Sequence, residues 1–179
     1  MARDYIAGVT HDNKKIFYSE KKYKVFSTEK KKLIMEALPK IEYKREVTIS
    51  FDRIVGETGL VELEEYQKEN VIWCYRTVND RWRVPVILNE KARKTTYMTI
   101  CFRREKDKIF IVDCFFGKRA LPIPEDPYAC KCGPEFVQKC QSYWQKHALI
   151  VPLKDINVSK TIEMLNEKEL ERFNKIIGA

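Results

Sequence analysis

Four side chains able to hold a metal or move a proton crowd into one stretch, CKCGPEFVQKCQSYWQKHALIVP, which runs from Cys130 to Pro152. It carries three of the chain's six cysteines and one of its two histidines. Thiolates and an imidazole are what tetrahedral zinc takes in structural sites. The spacing argues otherwise. Cys130 and Cys132 form a C-x-C pair, and the C-x2-C pairs of fingers, ribbons and knuckles occur nowhere in the chain. No metal and no other cofactor is therefore expected, and nothing else suggests redox chemistry at Cys130 and Cys132. Read as one helix from about Pro134 to Leu149, the stretch sets Cys140 and His147 two turns apart on one face. His147 is then either a general acid–base group or a C-terminal histidine favoured by the helix dipole.

Composition narrows the setting. The chain has 179 residues, 44% of them hydrophobic and 34% charged, so a real core is affordable and disorder is not expected. The formal net charge of +8 suits a polyanionic partner, RNA or DNA above all, though many soluble proteins are as basic. No apolar run approaches the ~18 residues of a membrane span, so no membrane is expected among the partners. The start, MARDYIAGVTHDNKK, lacks an apolar signal-peptide core, and a cytoplasmic protein with reduced thiols is expected. Cys74, Cys101 and Cys114 lie in apolar, strand-like runs and read as small buried hydrophobes.

The elements that must position these groups follow from periodicity. Residues 1–45 form a basic, partly helical segment. In it Ser27 or Thr28 caps a helix with Leu33, Ile34, Ala37 and Leu38 on one face, stopped by Pro39. Phe17, Tyr18, Tyr23 and Phe26 lie among its lysines and read as base-stacking rings or as inward packing. Residues 46–150 read as a sheet-plus-helix core. EVTISF sets Val47, Ile49 and Phe51 inward; NVIWCYRTV and a strand with Trp82, Val84, Val86 and Leu88 on one face flank an Asn79–Asp80 turn. TTYMTICFRR and KIFIVDCFFG follow, the last apolar enough to be central. The proline-rich KRALPIPEDPYACKCGP is expected to be extended. Residues 151–179 hold a C-terminal helix with a capping box at Asn166 and Glu169 and a stripe of Leu170, Phe173 and Ile177. The expected fold is one α+β domain with about five mainly antiparallel strands packed against helices.

Several ordered patterns then stand out: ISFDRIVGETGLVE, VIWCYRT, NDRWRVPVILNEKARKTTYMTICFRRE, FFGKRALPIPEDP and SYWQKHALI. Together they resemble a bacterial family of ribonuclease toxins of the barnase–EndoU–colicin–RelE (BECR) type. The most specific is the run holding Phe115, Gly117, Pro122, Pro124, Asp126 and Pro127. The resemblance covers a little over half of the chain and omits the basic start and the last helix. It implies a sheet that receives RNA and a metal-independent cleavage in which the ribose 2′-hydroxyl attacks the adjacent phosphate. It also implies an antitoxin or immunity protein as a partner.

Such chemistry needs a base, an acid and cations around the phosphorane. On the resemblance, Arg81, Thr96, His147 and Asp113 are the candidate catalytic residues. Arg76, Arg83, Arg93, Lys94, Tyr97 and Lys118 are the candidate RNA contacts. Each cation also reads as an ordinary solvated charge. Asp113 departs from the family pattern, which has threonine there. An aspartate repels phosphate unless it is neutral or paired with arginine; otherwise it serves as the base, or catalysis has been lost. Two readings follow. One is an endoribonuclease of toxin type. The other is a non-catalytic nucleic-acid-binding or partner-binding domain, such as a mobile-element accessory protein.

Overall fold

The computed structural model describes residues 3–178. Eleven strands occur in chain order among the described residues: β1 (Tyr5–Val9), β2 (Lys15–Tyr18), β3 (Glu46–Ser50), β4 (Gly56–Thr58), β5 (Leu60–Glu62), β6 (Ile72–Tyr75), β7 (Arg83–Ile87), β8 (Arg93–Thr95), β9 (Tyr97–Glu105), β10 (Lys108–Phe116) and β11 (His147–Ile150). The α-helices are α1 (Glu20–Val25), α2 (Thr28–Ala37), α3 (Pro127–Lys131), α4 (Pro134–Trp144), α5 (Val158–Ile162) and α6 (Glu167–Ile177). The architecture is α+β, as expected. The chain forms two compact units, one of Met1–Gly56 with Lys94–Arg119 and one of Glu57–Arg93 with Ala120–Ala179.

The first unit is a five-stranded sheet in the order β1-β2-β10-β9-β3. β10 is central, as its apolar sequence requires. It runs parallel to β2 and antiparallel to β9. Alternation sends Ile16, Tyr18, Met98, Ile100, Phe102, Ile109 and Ile111 to one face, where Leu33, Ile34 and Ala37 of α2 and the Leu38 that follows cover them. Each large apolar side chain buried in this way contributes about 1.5–3 kcal/mol. Ser27 caps α2 by accepting from the Lys30 N–H. Val47, Ile49 and Phe51 join the same core. Gly56 is required by crowding, since a Cβ there would lie 2.4 Å from the Phe116 ring.

The second unit holds a four-stranded sheet in the order β5-β11-β7-β6. One face packs Ile72, Cys74, Val86 and Leu88 against Phe173 of α6. The helix starts at the expected capping box, with Asn166 and Glu169 each accepting the other's backbone N–H. The opposite face gathers Val61, Ile87 and Ala148. Trp144 Nε1 donates to the carbonyls of Leu121 and Pro122 at 3.1 and 3.0 Å, which ties the proline-rich connector down.

Three expectations need correction. The helix through Phe136 stops at Trp144, and His147 begins strand β11 instead of ending that helix. Pairing explains it: Leu149 and Ile150 gain ladder partners on β7, and Ala148 gains one on β5. The connector is not extended throughout, because Asp126 caps and Pro127 opens the short helix α3. Trp82 does not share the inward face of Val84 and Val86; it lies before β7 begins. The basic start holds helices α1 and α2, and it also supplies β1 and β2.

Candidate functional site

In the second unit, β6 and β7 pair antiparallel, with Tyr75 opposite Arg83 and Trp73 opposite Pro85. Because Ile72, Cys74, Val84 and Val86 point into the core, alternation turns Trp73, Tyr75 and Arg83 to the other face. There they line a cleft of about 260 Å³ with Arg81, Trp82, Glu125 and Met164. That volume is below the about 300–1,000 Å³ of pockets enclosing drug-sized ligands. It suits one planar ring system and a charged substituent. The lining residues carry three aromatic rings, two guanidinium groups and one carboxylate, so the lining is net positive.

Neighbouring elements hold these walls. Arg81 N–H donates to Asn79 Oδ1 at 3.3 Å, an Asx turn that shapes the hairpin loop. Lys160 of α5 donates to the Asp80 carbonyl at 2.6 Å, and its Nζ lies 4.6 Å from the centre of the Tyr75 ring. Tyr75 N–H donates to the wholly buried Thr161 Oγ1 at 3.0 Å. Arg76 lies just past β6, bridged to Ile156, and its Nε is buried without a hydrogen-bond partner. Arg93 begins β8 and is paired with Glu90 at 2.9 Å.

His147 sits elsewhere in the same unit. Its strand neighbour Leu149 pairs with Val86, so alternation places it on the face opposite the cleft. Nδ1 lies 2.9 Å from the Tyr143 carbonyl oxygen, and the ring stacks on Tyr143. A carbonyl only accepts, so Nδ1 donates, which in the neutral ring leaves the lone pair on Nε2. The imidazole thus satisfies a carbonyl at the end of α4 and keeps one nitrogen uncommitted.

The remaining candidates belong to the first unit. Thr96 lies between β8 and β9, where its carbonyl accepts from the Phe51 N–H. Lys94 is exposed. Lys118 Nζ stands 4.4 Å from the centre of the Tyr97 ring, a cation–π contact. Asp113 is exposed on β10, just after a bulge, and accepts from the Cys114 N–H at 2.9 Å. Arg119 pairs with Glu46 and donates to Cys101 Sγ at 3.0 Å. Burial pushes the Cys101 thiol up, against the opposing pull of that guanidinium.

The four candidate catalytic residues therefore divide between the units, Thr96 and Asp113 in the first, Arg81 and His147 in the second. Sequence reasoning missed Trp73, Tyr75, Arg119 and Lys160. VIWCY carried a usable signal for the first two, since aromatic and aliphatic residues alternate in it. Among the described residues no three His, Cys, Asp or Glu side chains group as a metal would require. No described helix is long and apolar enough to cross a membrane. The chain matches no family model, no curated protein and no solved structure.

Proposed function

We propose that this protein binds single-stranded RNA, with one base in the cleft of Trp73, Tyr75 and Trp82 and its phosphate at Arg81 and Arg83. The observation that carries the reading is the convergence of those three rings and two guanidinium groups. Aromatic faces stack any base, and the guanidinium fork matches phosphate oxygens. The net charge of +8 adds a salt-sensitive attraction to the backbone. The test is a titration of tryptophan fluorescence with an oligoribonucleotide. Trp73→Ala should weaken binding by about 5- to 150-fold, from about 1–3 kcal/mol per stacked base. Arg83→Ala should weaken it and lower the salt slope by about 1. Affinities unchanged by both substitutions would remove the reading.

A second reading, endoribonuclease of toxin type with an antitoxin partner, is favoured by His147, whose Nε2 is left open to exchange a proton. Here the 2′-hydroxyl gives its proton to Nε2 and attacks the adjacent phosphorus, the bond to the 5′-oxygen breaks as that oxygen takes a proton from water, and a 2′,3′-cyclic phosphate remains. Cleavage should persist in EDTA, and His147→Ala should slow it by ~100-fold or more. RNA bound tightly but left intact would exclude it.

A further inference from the structure

One row of side chains crosses four strands of the first unit in register. Ile6 of β1 pairs with Phe17 of β2, Phe17 with Phe110 of β10, and Phe110 with Arg103 of β9. Their neighbours in sequence, Ile16, Tyr18, Ile109 and Ile111, are buried beneath α2 on the other face. The row therefore looks outward. Ile6 is 62% exposed and the Arg103 side chain 67% exposed. Phe17 and Phe110 are half-buried, mid-sheet, with ring centroids 6.0 Å apart. A solvated sheet face ordinarily carries polar residues at such positions.

We propose that this face is a second binding surface for single-stranded nucleic acid, with Phe17 and Phe110 each stacking one base. It shares no residue with the cleft. Adjacent strands lie about 4.8 Å apart, so two neighbouring rings can take two consecutive bases. Cations surround the rings. Lys15 is exposed and shares the outward face of Phe17 by alternation. Lys108 Nζ lies 5.7 Å from the Phe17 ring centre, and Arg103 closes the row. Lys108 is paired with Asp4 at 2.7 Å and Arg103 with Glu105. These are exposed pairs, each worth about 0–1 kcal/mol, so either cation can exchange its carboxylate for a phosphate at little cost. That complementarity favours a polyanion over an apolar protein partner.

The test uses the full chain and fluorescent oligouridylate and oligodeoxythymidylate of about 12 nucleotides, within the span of one sheet platform. Anisotropy should show Phe17→Leu and Phe110→Leu each weakening binding by about 5- to 150-fold. Leucine keeps apolar bulk, and an unchanged thermal melt shows that the sheet is intact. Loss for both oligomers means that the rings read bases; loss for the ribonucleotide alone means that the 2′-hydroxyl is also read. Either outcome supports the proposal. Wild-type affinity in both variants overturns it, and Trp73→Ala measured beside them shows separately whether the cleft binds. A wild-type protein that binds neither oligomer also overturns it. So does self-association abolished by Phe17→Leu with oligomer affinity unchanged, which would give the face to a second copy of the chain.

Discussion

The imidazole of His147 lies flat against the phenol ring of Tyr143, with 3.9 Å between centroids and 5° between planes. The same two residues share the Nδ1 contact to the Tyr143 carbonyl at 2.9 Å. One residue thus supplies both the stacking surface and the acceptor that orients the ring. The neutral ring is expected as the Nδ1–H tautomer. Long-range proton–nitrogen correlation NMR in mildly alkaline buffer reads this directly, with the lone-pair type of nitrogen shift at Nε2. The reverse pattern would take away the basis for proton transfer at Nε2.

Tyr75 owes its place in the cleft wall to Thr161. The hydroxyl of Thr161 accepts from the Tyr75 N–H at 3.0 Å and is fully buried. Thr161→Val keeps the shape and leaves that N–H unsatisfied, a cost of about 1–3 kcal/mol. The urea midpoint should fall with the slope unchanged. An unaltered midpoint would mean that water or a shifted backbone replaces the bond.

Much of the fold was legible because local and tertiary preferences agreed. Leu33, Ile34, Ala37 and Leu38 recur at helical spacing, and all four are buried under the sheet. Asn166 and Glu169 cap α6 through contacts three residues apart, which a sequence displays directly. What was hidden depended on distant partners. KIFY lies beside β10 as a parallel neighbour, and YIAGV in turn pairs antiparallel with KIFY. HALI continues a helical pattern, yet β5 and β7 flank it and win. The cleft was half legible. Arg81 and Arg83 were named for their chemistry, but Trp73 and Tyr75 join them through the β6–β7 register and the placement of α5.

Thiol reactivity separates the cysteines by burial. Cys74 and Cys114 are pushed up to about 12 by desolvation, and burial also raises Cys101 and Cys140. The thiolate is the nucleophile, so these four should stay silent in the native protein. Cys130 and Cys132 are exposed and should react at once with a thiol-reactive disulfide reagent. Two fast equivalents and four released only by denaturant are expected. A third fast thiol would contradict the packing of β6, β9, β10 or α4.

Acid should act on the first unit through Glu36 and Arg53. The guanidinium grips both carboxylate oxygens, Nη2 to Oε2 at 2.6 Å and Nη1 to Oε1 at 3.1 Å. Those hydrogen bonds hold the Glu36 carboxyl down at about 2, against an ordinary 4.5, with a smaller contribution from Lys40. As pH falls the unfolded chain takes up its proton first, so this carboxylate favours folding above about pH 4.5 and the benefit fades towards pH 2. Both side chains reach solvent, which keeps the effect small and salt-sensitive. Arg53→Ala should therefore be less stable than the wild type near neutral pH. The gap should close as the pH is lowered through that window, and added salt should narrow it at neutral pH. Denaturant unfolding of both proteins across the acid range measures the gap. A gap that stays constant down to pH 2 would mean that Arg53 stabilises through its contact with the Phe51 ring, 5.6 Å away, and not through Glu36.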